Sequence, residues 1–229
     1  MYYTIKGLVL KTFDRGEADK AVTLYTCEWG KIYAVAPGAK KIAAKLSFAC
    51  EPLTESEFMI FQNHPLSRPK ITGAKIINNN TAIKTDFTKN IYALYAAEIG
   101  DKFAPFNAPN AEKYILLTRI WDILSSCRYH KRALTAFALR FLKLSGYGFA
   151  DYLKNSASAA DKNVENAVKK LSSCPGDEVD SLCGYDDNAI WNYVETYMTN
   201  YIKKPSVSIF LKKIAAENPP TKPANANRQ

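Results

Sequence analysis

Residues 4–41 read TIKGLVLKTFDRGEADKAVTLYTCEWGKIYAVAPGAKK, and the way this run alternates decides the fold. Thr4 to Phe13 is rich in β-forming side chains. Lys20 to Cys27 places Val22, Leu24 and Thr26 at every second position, and Lys31 to Ala36 resumes after a turn at Glu28-Trp29-Gly30. A period of two is the mark of a strand, because successive side chains point to opposite faces. Working outward, the loop at Pro37-Gly38 precedes two further strand-like runs, Leu53 to Phe61 and Ile71 to Ile77, with Pro65 and Pro69 punctuating the connection between them. Five short strands at this spacing predict a small all-β barrel over residues 1–80.

From Thr81 onward the period changes to that of a helix. Ile91, Leu94, Tyr95 and Ile99 mark one helical face. Tyr114, Leu117, Trp121 and Leu124 mark a second after the break at Pro105 to Pro109, and Leu134, Phe137, Ala138, Phe141 and Leu142 mark a third that Gly146 and Gly148 end. Residues 155–173 form a polar helix closed by Cys174-Pro175-Gly176. Ile190, Val194, Tyr197, Met198 and Tyr201 space as another amphipathic face, stopped by Pro205, with a short helix from about Ser206 to Ala215 behind it. The expectation is a multidomain α+β chain: a five-stranded barrel over 1–80, an all-α domain over 81–216 and a disordered tail over 217–229.

The 229 residues carry 31 lysines and arginines against 22 carboxylates, a formal charge of +9. Residues 151–187 alone hold four lysines and eight carboxylates, so a polyanion would meet the two ends of the chain and not this segment. No run of apolar residues is long enough to span a membrane, and the N-terminus lacks the layout of a signal peptide. The five cysteines are odd in number and scattered, which reads as reduced thiols in a cytoplasmic, nucleoid-associated protein.

Catalytic chemistry finds little to use. His64 beside Pro65 and His130 at a helix boundary are the two histidines, and neither sits in a recognised nucleophile or metal motif. Gly30-Lys31 is no Walker loop, because Tyr25 stands where the first glycine belongs. Cys174 and Cys183 are the nearest cysteine pair, but eight residues separate them and no second ligand pair accompanies them, so no metal or cofactor is expected. Glu55 and Glu57 share a strand face without the further carboxylates a nuclease needs, and the chain reads as no enzyme.

Basic residues are more informative. Lys31, Lys40, Lys41 and Lys45 lie in a stretch free of carboxylates around the Pro37-Gly38-Ala39 loop, interleaved with Tyr25, Trp29 and Tyr33 and preceded by Tyr2, Tyr3 and Phe13. Small barrels hold single strands by stacking bases on such rings while basic loops follow the phosphates. Lys203, Lys204, Lys212 and Lys213 form a second basic cluster. In the third helix Arg132, Arg140 and Lys143 follow helical spacing beside Leu134, Phe137, Phe141 and Leu142, a basic border that suits an acidic peptide ending in apolar residues.

The chain resembles the RecO family. The resemblance is carried by Thr4-Ile5-Lys6-Gly7-Leu8-Val9-Leu10, Gly16-Glu17-Ala18-Asp19-Lys20, Leu24-Tyr25-Thr26, Gly30-Lys31-Ile32 and Ala36-Pro37-Gly38-Ala39-Lys40-Lys41. Leu94-Tyr95-Ala96-Ala97-Glu98, Phe137-Ala138-Leu139-Arg140-Phe141-Leu142 with Gly146-Tyr147, and Lys204-Pro205-Ser206 with Phe210-Leu211 follow in order. It implies an N-terminal OB-fold, binding and annealing of single-stranded DNA in repair and recombination, contact with the acidic tail of single-stranded-DNA-binding protein, and partnership with RecR in placing RecA on coated strands. It makes Arg15, Lys31, Lys40 and Lys41 the leading DNA contacts, with Lys45, Lys203 and Lys204 beside them by charge. It makes Arg140 the leading contact for the acidic tail, with Arg132 and Lys143 added by helical geometry. Many members carry a four-cysteine zinc module after the Gly-Tyr segment. Here residues 148–160 hold no cysteine, so about 148–187 reads as a metal-free remnant. The second reading is an adaptor whose barrel is structural and whose helices bind a protein partner.

Overall fold

A computed structural model describes residues 1–41, 45–149, 161–174, 176–182 and 184–201. Five strands, β1 (Tyr2–Arg15), β2 (Asp19–Thr26), β3 (Gly30–Ala36), β4 (Glu55–Phe61) and β5 (Lys70–Asn78), close into a barrel in the order β1-β2-β3-β5-β4. All neighbours are antiparallel except β3 and β5, which meet in parallel where Val35 faces Lys70. This is the OB-fold barrel the resemblance implied. Val9, Val22, Leu24, Ile32, Phe58 and Ile60 fill its interior. A short helix, α1 (Lys45–Ala49), which periodicity does not announce, brings Leu46 and Ala49 against that same interior.

Three successive residues of β1, Leu8, Val9 and Leu10, are all buried, which simple alternation does not allow. The register against β2 slips between Val9 and Lys11, a bulge that bends the strand and re-aims its side chains. Val9 therefore points into the barrel, while Leu8 and Leu10 point outward into a second core made with the helices. The bulged backbone is satisfied by the segment before β4: Val9 N–H donates to the Thr54 carbonyl and Leu53 N–H donates to the Val9 carbonyl, both at 2.9 Å.

Helices follow directly: α2 (Thr81–Lys84), α3 (Phe87–Phe103), α4 (Ala111–Ser126), α5 (His130–Leu144), α6 (Asp161–Ser173), a 3-10 turn (Gly176–Ser181) and α7 (Asp187–Thr199). Their starts are set by capping side chains. Asp86 accepts from Lys89 N–H, Asn110 from Lys113 N–H, and Asp186 from Asn188 and Ala189 N–H. Helix α5 is the axis of this layer, packed by α3, α4, α6 and α7 and buried on nearly all sides from Arg132 to Leu139. The segments expected to hold the short helix 206–215 and the tail 217–229 lie outside the described residues.

The helical layer sits on one half of the outer face of β1, β2 and β3. Gly100 in α3 has no Cβ to hold Leu10 of β1 and Leu117 of α4 away, and both side chains reach it. Tyr25 buries its ring there and donates its hydroxyl to the Asn110 carbonyl at 3.4 Å; Tyr114 donates to Glu55 at 2.8 Å from the other side. Gly30 turns with φ +68°, and a Cβ there would overlap the Ala108 carbonyl, so the approach of the 107–110 segment requires glycine.

Candidate nucleic-acid and peptide interfaces

The first candidate surface begins at the turn between β1 and β2. Gly38, at φ +67°, lets the loop after β3 fold back onto that turn: Gly38 N–H donates to the Asp19 carboxylate at 2.8 Å and Lys40 N–H to the Ala18 carbonyl at 2.9 Å. Lys40 then spends its ammonium on the turn, pairing with Asp14 at 3.1 Å and donating to the Gly16 carbonyl at 3.2 Å. Lys41 and Arg15 remain exposed at the same rim. Two of the expected DNA contacts are thus outward cations, and Lys40 mainly fastens the loop that carries one of them.

Lys31 is placed differently from the sequence expectation. It is 5 % exposed, donates to the Asp101 carbonyl at 2.5 Å, lies 3.9 Å from the Asp101 carboxylate and stands 4.2 Å over the Phe106 ring. Burial pulls its pKa below the ordinary lysine value, opposed by the Asp101 carboxylate. This lysine fastens the helices to β3 and cannot meet a phosphate without undocking them. The Lys45 side chain, Lys203 and Lys204 lie outside the described residues.

The same outer face has a half that the helices leave open. Lys11, Phe13 and Arg15 alternate on β1 and are all exposed, facing Thr23, Ala21 and Asp19 of β2. Thr23 faces Tyr33 of β3, and Ala21 faces Val35, which in turn faces Lys70 of β5. Lys11 places its ammonium 4.4 Å from the Phe13 ring centre, and Arg68, from the β4–β5 connection, places its guanidinium 5.5 Å from Tyr33. Charge and loop composition single out Phe13 and Tyr33 as rings but miss Lys11, Arg68 and Lys70. The period-two run Lys11-Phe13-Arg15 is the available signal for the first. Nothing local announces that the connection after β4 folds over β3.

A second candidate surface is a groove of about 680 Å³ between α4, α5 and the end of α6. Ile115, Leu116, Ile123 and Leu144 give it apolar walls; Arg119, Arg140 and Lys143 give it cations, against Glu112 and Asp122. Arg140 donates its Nε to the Ser172 carbonyl at 3.2 Å, while its buried Nη2 has no partner among the described residues. Partial burial lowers its pKa from the ordinary guanidinium value.

Arg132 does not reach this groove, which corrects the helical-spacing argument. It is buried, holds Asp187 through Nε at 2.8 Å and Nη2 at 3.1 Å, donates to the Leu182 carbonyl, and stands 4.4 Å over Tyr129. Arg132 and Lys143 do fall on similar helical angles, but eleven residues of rise put them about 16 Å apart along the axis, under different neighbours. Spacing gives the face of a helix and not what covers each end of it.

The remaining chemistry-bearing groups do not converge on a site. His64 is exposed in its turn, and His130 stacks on Tyr92 at 5.7 Å. Glu55 accepts from Tyr114, and Glu57 faces Lys6 and Lys75 across the strands. Among the described residues no three histidine, cysteine or carboxylate side chains gather as metal ligands, and no described helix is long and apolar enough to cross a membrane.

Residues 1–80 match the family described as Recombination protein O N terminal, and residues 84–174 match Recombination protein O C terminal. The DNA repair protein RecO of Heliobacterium modesticaldum is 32% identical over 145 residues, 63% of this chain and 52% of that one. The protein of the same name from Syntrophus aciditrophicus is 28% identical over 142 residues, 62% of this chain and 55% of its own. In these two, the matched stretch spans about half the length of the relative. The counterpart from Mycoplasma capricolum is 27% identical over 231 residues, 95% of this chain and 87% of that one.

Proposed function

The chain belongs to the Recombination protein O family of DNA repair proteins, and from that premise we propose that it is a stoichiometric recombination mediator. It holds and anneals single-stranded DNA on the open half of its barrel. It takes the acidic C-terminal tail of single-stranded-DNA-binding protein in the α4–α5 groove and, with RecR, assists the loading of RecA onto coated strands. One observation carries the reading: Lys11, Arg15, Lys41, Arg68 and Lys70 all lie in solvent or at its edge, and all belong to the part of the barrel surface the helices do not cover. Cations so placed neutralise phosphates and release counterions, which makes the affinity fall steeply with salt. No step requires a nucleophile or a bound metal.

The groove supports the second half of the proposal by its chemistry. A peptide that ends in apolar residues and a carboxylate would bury the former on Ile115, Leu116, Ile123 and Leu144 and present the latter to Arg140, with Arg119 and Lys143 flanking. In this reading Arg140 and Lys143 hold the peptide, and Arg132, turned to Asp187, does not.

The test is a set of fluorescence binding curves with labelled oligo(dT) at several salt concentrations. The double variant Arg15→Glu, Lys41→Glu is expected to bind more weakly, with a log–log salt slope shallower by about 0.7 for each phosphate that is no longer neutralised. Arg140→Ala is expected to leave that slope alone and to lower affinity for an acidic, apolar-ended peptide about tenfold. An unchanged slope in the double variant rejects the rim assignment. A wild-type chain that binds the peptide but no oligo(dT) is an adaptor and not a DNA-binding mediator.

A further inference from the structure

On the open half of the barrel two ring–cation pairs face outward from different strands. Lys11 lies over Phe13 on β1, and Arg68 lies over Tyr33 on β3. Between them β2 contributes only the small side chains of Ala21 and Thr23, both buried. Phe13 lies in the row of Ala21 and Val35 and Tyr33 in the row of Thr23 and Lys11, so two strand spacings and an offset of two residues separate them, about 12 Å, too far for rings that hold directly stacked neighbouring bases. Phe13 is 43 % exposed, a large apolar surface left in water on a strand whose other half buries its leucines.

The acidic groups of this region lie toward the β1–β2 turn: Asp14 pairs with Lys40, Asp19 accepts from Gly38 N–H and faces Arg15, and Glu17 is exposed in the turn itself. Beside the rings stand the cations of Lys11, Arg68 and Lys70, with Arg15 toward the turn. An exposed cation over a ring is held weakly, whereas a nucleobase covering the same ring is held more strongly because it also removes apolar surface from water.

We infer that Phe13 and Tyr33 are base-stacking positions for single-stranded DNA, each exchanging its resting cation for a nucleobase while Lys11 and Arg68 move onto the adjoining phosphates. This rests on the single-strand reading proposed above and adds to it where the bases go. Each exchange replaces one ring contact by another and turns the released cation to a phosphate, so stacking and charge neutralisation occur together. Lys70, next along the row and facing Phe61 of β4, continues the path toward the β3–β5 seam.

The experiment separates bases from backbone. The double variant Phe13→Leu, Tyr33→Leu keeps apolar volume and removes the rings; its binding to oligo(dT) and to an abasic oligonucleotide of equal length is measured against wild type across a salt series. The expected result is about a tenfold loss for oligo(dT), no change for the abasic strand and an unchanged salt slope. Phe13→Trp is expected to keep the affinity and to show emission, in excess of the wild-type chain, that oligo(dT) quenches and the abasic strand does not. A leucine double variant that binds oligo(dT) like wild type overturns the stacking positions while leaving the single-strand reading intact. So does a wild type that does not distinguish the two oligonucleotides. A wild type that binds neither overturns the single-strand reading and the stacking with it.

Discussion

The two halves of the outer face of β1, β2 and β3 are built from the same strands and the same kinds of residue, yet they do different work. One half carries Leu8, Leu10, Tyr25 and Lys31 and lies under α3, α4 and the segment between them. The other carries Lys11, Phe13, Tyr33 and Arg68 and lies in solvent or at its edge. Lys31 and Lys11 both set an ammonium above an aromatic ring, at 4.2 Å and 4.4 Å. What separates them is the cover: Lys31 has traded water for the Asp101 carbonyl and carboxylate, while Lys11 remains able to exchange its ring for a ligand. A lysine in a strand is a binding residue or a fastening according to what packs above it.

Helix α5 repeats the contrast with arginines, and it supplies the largest expected effect. Arg132→Ala leaves Asp187 and the Leu182 carbonyl without their guanidinium, and breaking a buried pair of this kind costs about 3–5 kcal/mol. Urea unfolding is expected to show that loss, with the folded variant still binding the acidic peptide through Arg140. A folded variant that is as stable as wild type, or one that no longer binds the peptide, would erase the distinction between the two arginines. Next in size is Lys31→Met, which leaves the Asp101 carbonyl unpaired for about 1–3 kcal/mol. Here the sharpening measurement is the salt slope for oligo(dT): it is expected to stay at the wild-type value, because this ammonium neutralises no phosphate. A shallower slope at unchanged stability would return Lys31 to the DNA-contact set.

Much of the fold is written locally. Val22, Leu24 and Ile32 announce strands by their period of two, and Leu134, Phe137, Phe141 and Leu142 announce α5 by the helical one, because both signals act within a turn or a strand. Helix α1 escapes because five residues without an acidic first turn or a basic last one carry no period long enough to read. The site is legible only in part. Lys41 is exposed as charge and loop composition suggest and Arg15 as the resemblance implies, but the fate of Lys31 is set by Asp101, seventy residues on, and that of Arg132 by Asp187, fifty-five residues on. The pairing of Arg68 with Tyr33 depends likewise on the parallel meeting of β3 and β5. A side chain's type is local information, whereas its cover is not.

The smallest expected effect carries the contrast of cover into pH. His130 opens α5, stacks on Tyr92 at 5.7 Å, and has a buried Nε2 with no partner among the described residues. Burial first, and then the charge of Lys89, lower its pKa from the ordinary value of 6.5, with Asp86 and Asp180 opposing. The positive end of α5 acts in the same sense. Because the folded pKa lies below the unfolded one, the unfolded chain takes up the proton first. The contribution of this group is therefore complete above pH 6.5 and is lost as pH falls through the lowered folded value. Phe at this position keeps the ring against Tyr92 and cannot titrate. Subtracting the unfolding free energy of His130→Phe from that of wild type, between about pH 7 and pH 5, is expected to give a difference that moves against wild type as pH falls. A flat difference would mean that the ring is as well hydrated as an exposed imidazole, and one that moves toward wild type would mean that Asp86 and Asp180 outweigh its burial.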